Sequence, residues 1–318
     1  MTWLHQYAKL VVASTVLLIA AGGMVTSTDS GLSVPDWPNT YGWFMFTFPM
    51  DKWVGGIFYE HGHRLIASTV GFLTIILAVW TWRVEPRRWV RWLAVVALGA
   101  VILHGLLGGI TVLLRLPPAV SIGHAGLAQL FFCLTLSIAL FTSPGWNSTP
   151  AVNDSILRRV ALWTTVMIYV QVLLGATMRH AGAGLAIPDF PFAFGRILPP
   201  VWTFPIAIHF AHRIGALLVM GVILATAGHV RHHHRGRPEL RRPARLLVLL
   251  VLVQGTLGAL VVLSRLQPLL NTAHVVNGAL LLGTSVVLTL RTFQPLFDRI
   301  PARDARRVAA TAPPGARS

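Results

Sequence analysis

Cysteine is almost missing from this 318-residue chain. Cys133 stands alone, so no intramolecular disulfide can form and thiol–disulfide chemistry has no second sulfur to work with. Charge is scarce too: 11% of residues are charged against 54% hydrophobic, a balance that excludes an ordinary soluble domain. Acidic residues are scarcest, 10 against 26 Lys and Arg, which leaves a formal net charge of +16. Such a surplus suits nucleic acid only when it gathers on one face or domain. Here it does not, and no nucleic-acid partner is expected.

What is present is long apolar runs. A hydrocarbon core about 30 Å thick takes roughly 20 helical residues to cross. Eight stretches qualify, near 9–27, 58–82, 92–114, 121–142, 159–178, 205–229, 246–264 and 270–291. The basic residues sit in alternate loops. Arg83, Arg87, Arg88 and Arg91 share one, Arg231, Arg235, Arg237, Arg241, Arg242 and Arg245 another, and Arg158 and Arg159 add to the same side. The opposite side holds only Lys52, Arg115, Arg179, Arg196 and Arg265. By the positive-inside rule both termini are cytoplasmic, and the long loops 28–57 and 179–204 face outward. The first run, Leu10 to Val25, has an internal counterpart at 160–178 and is therefore expected to stay as a span rather than be cleaved as a signal.

The chain repeats itself. Residues 22–38, GGMVTSTDSGLSVPDWP, answer 175–191, GATMRHAGAGLAIPDFP, with Gly31, Leu32, Pro35, Asp36 and Pro38 matching Gly184, Leu185, Pro188, Asp189 and Pro191. Gly62-His63-Arg64 answers Ala211-His212-Arg213, His104 answers Gln254, and His124 answers His274. The fold expected is an all-α membrane protein whose eight transmembrane helices form two tandem, parallel-repeat four-helix bundles. These are 1–142 and 159–293, joined by a cytoplasmic linker at 143–158 with helix-breaking Pro144, Gly145 and Pro150. An Ala-, Arg- and Pro-rich cytoplasmic tail, 294–318, is expected to be unstructured. Gly105, Gly108, Gly109, Gly255 and Gly258 suit ordinary close helix packing.

Ionisable groups within a span cost free energy, so each needs a reason. A lone membrane histidine is as well explained by hydrogen bonding as by ligation. Four in duplicated pairs at equal depth, His63 with His124 and His212 with His274, point to metal ligation. With the second and fourth spans of each half placed diagonally, each pair leaves a slot for a flat macrocycle with an axial histidine on either face. Arg64 and Arg213 follow a histidine directly, where a guanidinium could pair with a haem propionate or snorkel to headgroups. Glu60 lies one turn before His63, and its counterpart is His209. A carboxylate in one pocket only suggests that the first half does chemistry, with Glu60 as base or as electrostatic stabiliser, while the second keeps a permanent cofactor. The plain alternative for Glu60 is an acid at a helix start. His104 reads as a hydrogen-bonding residue and His61 as facing away from His63. His232, His233 and His234 read as a solvated run, and Asp36 and Asp189 as turn residues covering the pockets.

At Gly31-Leu-Ser-Val-Pro-Asp36-Trp-Pro, Glu60-His-Gly-His63-Arg64, Gly123-His124, His212-Arg213 and Ala273-His274, the chain resembles the haem A synthase family, over positions 8–292. The resemblance implies an oxidoreductase of the bacterial inner membrane that oxidises the C8 methyl of haem O to a formyl group, giving haem A. It implies that His63 and His124 bind the substrate with Glu60 essential, and that His212 and His274 hold haem b, which takes electrons away. As partners it implies haem O, membrane lipid, and the machinery of haem O synthesis and terminal oxidase assembly, with a homo-oligomer left open. Many members carry a cysteine pair in the first outer loop, and none lies between Thr28 and Phe58 here. A cytochrome b relaying electrons to or from quinone is the main alternative. A transporter built from parallel repeats is a weaker one, because the ionisable residues cluster toward span ends rather than the midplane.

Overall fold

The computed structural model describes residues 3–297, and among these there is no strand. The helices are α1 (Trp3–Ser27), α2 (Gly56–Val84), α3 (Arg88–Leu113), α4 (Pro118–Phe141), the single turn α5 (Pro144–Asn147), α6 (Ser155–His180), α7 (Phe204–His233), α8 (Pro238–Leu263) and α9 (Pro268–Phe297). All except α5 are long and apolar enough to cross a membrane. They overrun the apolar stretches because 24 to 30 residues rise roughly 36–45 Å, more than a hydrocarbon core of about 30 Å requires.

Prolines set several of the starts. Pro118, Pro144 and Pro238 open α4, α5 and α8, where the missing N–H has no intrahelical acceptor to lose. Pro144, expected to break helix in the linker, therefore begins one. Asp154 caps α6 by accepting from Leu157 N at 2.8 Å, so this helix starts inside the segment expected to be linker. At the other end α9 continues through Phe297, past the expected boundary at 293. The rest of the expected tail lies outside the described residues.

Helix α1 packs on α2 and α4, and α3 packs on α2 and α4. Likewise α6 packs on α7 and α9, and α8 on α7 and α9. The two sets meet where α1 touches α9 and where α4 touches α6 and α9. Half of the most apolar stretch of α9 is buried and 44% of that of α4, against 17–33% elsewhere, so these two are the central helices. The remaining surfaces present large apolar side chains outward, among them Phe72, Leu103, Leu217 and Leu249, as lipid-facing helices do.

The connections α3–α4 and α8–α9 share one uncommon conformation. Arg115 and Leu116, then Arg265 and Leu266, all have φ between +55° and +68°. A left-handed non-glycine residue costs about 1–2 kcal/mol. Each leucine is held there by contact: Leu116 seats on Gly31 and Leu266 on Gly184, so closely that a methyl added at either glycine would come within 3.3 Å of the leucine. The long loops 28–55 and 181–203 match as well. Asp36 accepts from Tyr41 N and Gly42 N, and Asp189 from Phe194 N and Gly195 N, all at 2.8 Å.

Two glycines of α3 face side chains rather than a neighbouring backbone. Gly108 faces the ring of His124 and Gly109 faces the indole of Trp37, while nothing lies within 4 Å of a methyl placed at Gly105 or Gly255.

Candidate functional site

Each of the four paired histidines lies against a glycine of the preceding long helix. A methyl at Gly22 of α1 would meet His63 Cε1 at 3.1 Å, and one at Gly108 of α3 would meet His124 Cε1 at 3.1 Å. In the second set a methyl at Gly175 of α6 would stand 2.8 Å from His212 Cε1, and one at Gly258 of α8 3.2 Å from His274 Cε1. A ring can approach a helix this closely only where the Cβ is absent. Gly22 and Gly175 were not singled out as site residues from the sequence, although both open the repeated segment; that shared position was the available signal.

The ring nitrogens divide into partnered and unpartnered. Nδ1 of His63, of His124 and of His274 is buried with no hydrogen-bond partner, an expensive condition for a polar atom that has nothing else to bind. His212 differs: Gln171 Nε2 lies 3.0 Å from its Nδ1 and donates to its carbonyl at 2.7 Å. Nothing in the repeat marks Gln171. The His212 and His274 rings stand 6.5 Å apart, centroid to centroid, inclined at 65°. Gln254 bonds His274 through Nε2 at 3.2 Å and its carbonyl at 3.1 Å, and Asn277 donates to Gln254 Oε1 at 2.6 Å. At the matching place in the first set His104 stacks on His124, centroids 4.0 Å apart and 11° from parallel. The Nδ1 of His104 is likewise buried without a partner.

Glu60 is buried, 3% exposed, and fully engaged. Its Oε2 accepts from Val34 N at 2.7 Å and its Oε1 from Arg64 at 2.6 Å. His209 does the corresponding work, with Nδ1 3.0 Å from Ala183 O and 3.4 Å from Ile187 N. Glu60 and His209 therefore both anchor their long loop, at Val34 and Ile187, and the difference between them is one of charge. Arg64 donates to the carbonyls of Val34, Asp36 and Asn39, and Arg213 to those of Ile187, Asp189 and Phe192. Both guanidinium groups are used mainly to close the loops over the histidines. His61 does turn away from His63, into a pocket of Phe48 and Trp53, and pairs with Thr40 Oγ1 at 3.1 Å.

Asp36 and Asp189 behave as turn residues. Partial burial pushes each carboxyl up, but the two backbone N–H donors, with Arg64 or Arg213 nearby, outweigh it and hold both below the ordinary aspartate range.

The donor set fits iron macrocycle ligation. Half-buried imidazoles, buried ring nitrogens lacking partners and glycine-lined ring positions occur in both halves, and His63, His124, His212 and His274 are the residues that would hold the iron. In the histidine run near the end of α7, His232 and His233 are exposed and only His234 is drawn in. His229 and His234 both bond Asp154 Oδ2, at 2.8 and 2.9 Å.

The sequence profile of the cytochrome oxidase assembly protein family matches residues 5–286. The chain is similar to a protein named Heme A synthase from Geobacillus kaustophilus (strain HTA426), 29% identical over 319 residues that cover 98% of each chain. It is also similar to a Heme A synthase from Symbiobacterium thermophilum, 32% identical over 275 residues, covering 82% of this chain and 87% of the relative. A Heme A synthase from Shouchella clausii is 30% identical over 270 residues, with the same coverage of both chains.

Proposed function

Because the chain belongs to the haem A synthase family of cytochrome oxidase assembly proteins, we propose that it is a multi-pass bacterial membrane oxidoreductase converting the C8 methyl of haem O to the formyl group of haem A. One observation carries this reading: four half-buried histidines, each laid on a glycine, arranged as two matched pairs under two loops closed in the same way.

In this reading residues 1–142 bind haem O through His63 and His124, and residues 159–293 bind haem b through His212 and His274. Haem b, when bound, supplies a one-electron acceptor for the electrons that the oxidation releases. Taking the methyl to a formyl group with oxygen from water releases four electrons and four protons, and Glu60 lies one helical turn before His63. The carboxylate accepts from Val34 N and Arg64, and in this reading it offsets developing positive charge or takes up a proton as one of these bonds gives way. Arg64 and Arg213 act by closing the loops, with any propionate contact made through the N–H groups that the loop carbonyls leave free. Both termini and the linker face the cytoplasm, and the loops and histidine pairs lie toward the opposite surface.

A second reading has an observation of its own. Glu60 and His209 hold equivalent loop positions, as they would in a bis-histidine relay with two permanent haems and no substrate. One experiment separates the two. Pigments extracted from cells that make haem O, with and without this protein, are resolved by chromatography. Appearance of haem A dependent on the protein and on Glu60 supports the synthase; unchanged pigment with two retained b-type haems supports the relay.

A further inference from the structure

At the opposite end of α7 from His212, about 25 Å along the helix, Asp154, His229 and His234 bring one ligand atom each within 4.8 Å of one another. We propose that these three residues form a site for a divalent transition-metal ion of the zinc class, which clamps the start of α6 to the end of α7.

The donors converge through specific local structure. On a continued helix, residues five apart stand about 140° apart around the axis and could not share a ligand. His234 leaves the helix: it is the cap residue after His233, at φ −126° and ψ 43°, and this departure swings its ring back beside that of His229. Asp154 is fixed from the other side. Its Oδ1 is held by Leu157 N in the α6 cap, which aims Oδ2 at both imidazole Nε2 atoms. Arg237 pins the same linker by donating to the carbonyls of Pro150 and Ala151. The aspartate is ionised at neutral pH. Partial burial opposes this, but hydrogen bonds from His229, Leu157 N and His234 hold its carboxyl well below the usual range.

Two imidazoles and one carboxylate suit zinc-class ions. A tetrahedral centre with bonds of about 2.0 Å places its ligand atoms about 3.3 Å apart. The present separations of 2.8 and 2.9 Å therefore open by about half an ångström when the ion enters. Each imidazole then binds the ion through Nε2. The three side chains are 14–19% exposed, which gives the ion an entry path and a water a fourth position.

The test is equilibrium dialysis of the purified full-length protein in detergent against Zn2+ at about pH 7.5, with bound metal counted by atomic emission. Wild type and His232→Ala are expected to hold one ion that His229→Ala and His234→Ala lose. Asp154→Asn, which keeps the helix cap because Asn caps as well as Asp, is expected to weaken binding by on the order of tenfold or more. Zn2+ should raise the melting temperature of wild type and of His232→Ala more than that of the other three variants. Equal zinc content in wild type and both histidine variants would overturn the proposal, as would Asp154→Asn binding like wild type. The haem-site histidines are unchanged in every variant, so any zinc they hold cancels in the comparison.

Discussion

Glu60 has Val34 N and Arg64 to satisfy before any substrate arrives, and His209 shows that a neutral side chain can hold the same loop position in the second half. That equivalence supplies a way to separate anchoring from chemistry. Glu60→His should keep the loop closed, read as slow hydrogen exchange at Val34, yet form no haem A. Product formation at the normal rate would remove the carboxylate from the reaction. Glu60→Ala, by contrast, leaves Val34 N and an arginine N–H buried without an acceptor, a cost of about 1–3 kcal/mol. Asp36 and Asp189 bear on pH. A carboxyl whose folded pKa is depressed contributes stability that is complete above its unfolded value and lost as pH falls through the folded one. The loops should therefore stay closed from neutral pH down to about the ordinary aspartate value of 3.8 and open only below it, read as accelerated exchange at Tyr41 and Phe194. Opening already at pH 6 would show that other groups govern the loops. At this scale the sequence revealed the four histidines because they recur in pairs. It could not reveal that Glu60 and Arg64 are occupied by loop atoms, since those contacts join residues 25 to 30 positions apart through tertiary structure alone. Asp154, His229 and His234 escaped because Asp154 lies 75 or more positions away in sequence and His234 reaches His229 only by leaving α7.

Helices α1, α3, α6 and α8 each place one glycine under a histidine of the next long helix, so the closeness of these helix pairs sets where the rings stand. The four contacts are graded. A methyl at Gly175 would come to 2.8 Å from His212, and one at Gly258 to 3.2 Å from His274. Gly175→Ala must move the ring or the helix, whereas Gly258→Ala asks for a few tenths of an ångström and returns about 1 kcal/mol of helix propensity. The expected outcome is that Gly175→Ala broadens or abolishes the b-type haem absorption spectrum while Gly258→Ala preserves it. Identical spectra for the two variants would show that ring position is set elsewhere. The existence of these helices could be read from the apolar runs, since a stretch of about 20 such residues has few alternatives. Their ends could not, because caps such as Asp154 and the proline starts lie outside the apolar stretch. The glycines read as general packing for a related reason: in one dimension a glycine facing a backbone and one facing an imidazole look alike.

The two sets of four helices meet where α9 packs on α1 and α4 and where α4 packs on α6, and the tightest glycine contact between them is at Gly283. A methyl there would stand 2.6 Å from Phe132 Cε1 and 2.9 Å from Leu136 Cδ2, so α9 reaches α4 only because position 283 carries no side chain. Elsewhere along the seam the sets are joined by polar bonds. Arg179 at the end of α6 donates to Ser27 Oγ of α1 at 2.9 Å, Ser27 bonds Thr272 of α9 at 3.2 Å, and Tyr169 donates to Gly126 O of α4 at 3.4 Å. In lipid the hydrophobic effect does not drive helices together, so close packing and these bonds carry the association. A chain cut within the linker, between Thr149 and Asn153, should therefore copurify as two fragments in mild detergent. Gly283→Val inserts a branched side chain where even one methyl lacks room, and overpacking of this kind costs about 1–3 kcal/mol. Applied to the cut protein, Gly283→Val should release one fragment from the other. Each fragment keeps its own histidine pair and its own glycines, so the second should still show its b-type haem spectrum after release. If the spectrum disappears together with the association, the second pocket depends on α4 packed against α6 and α9, and the halves are not separate cofactor-binding units.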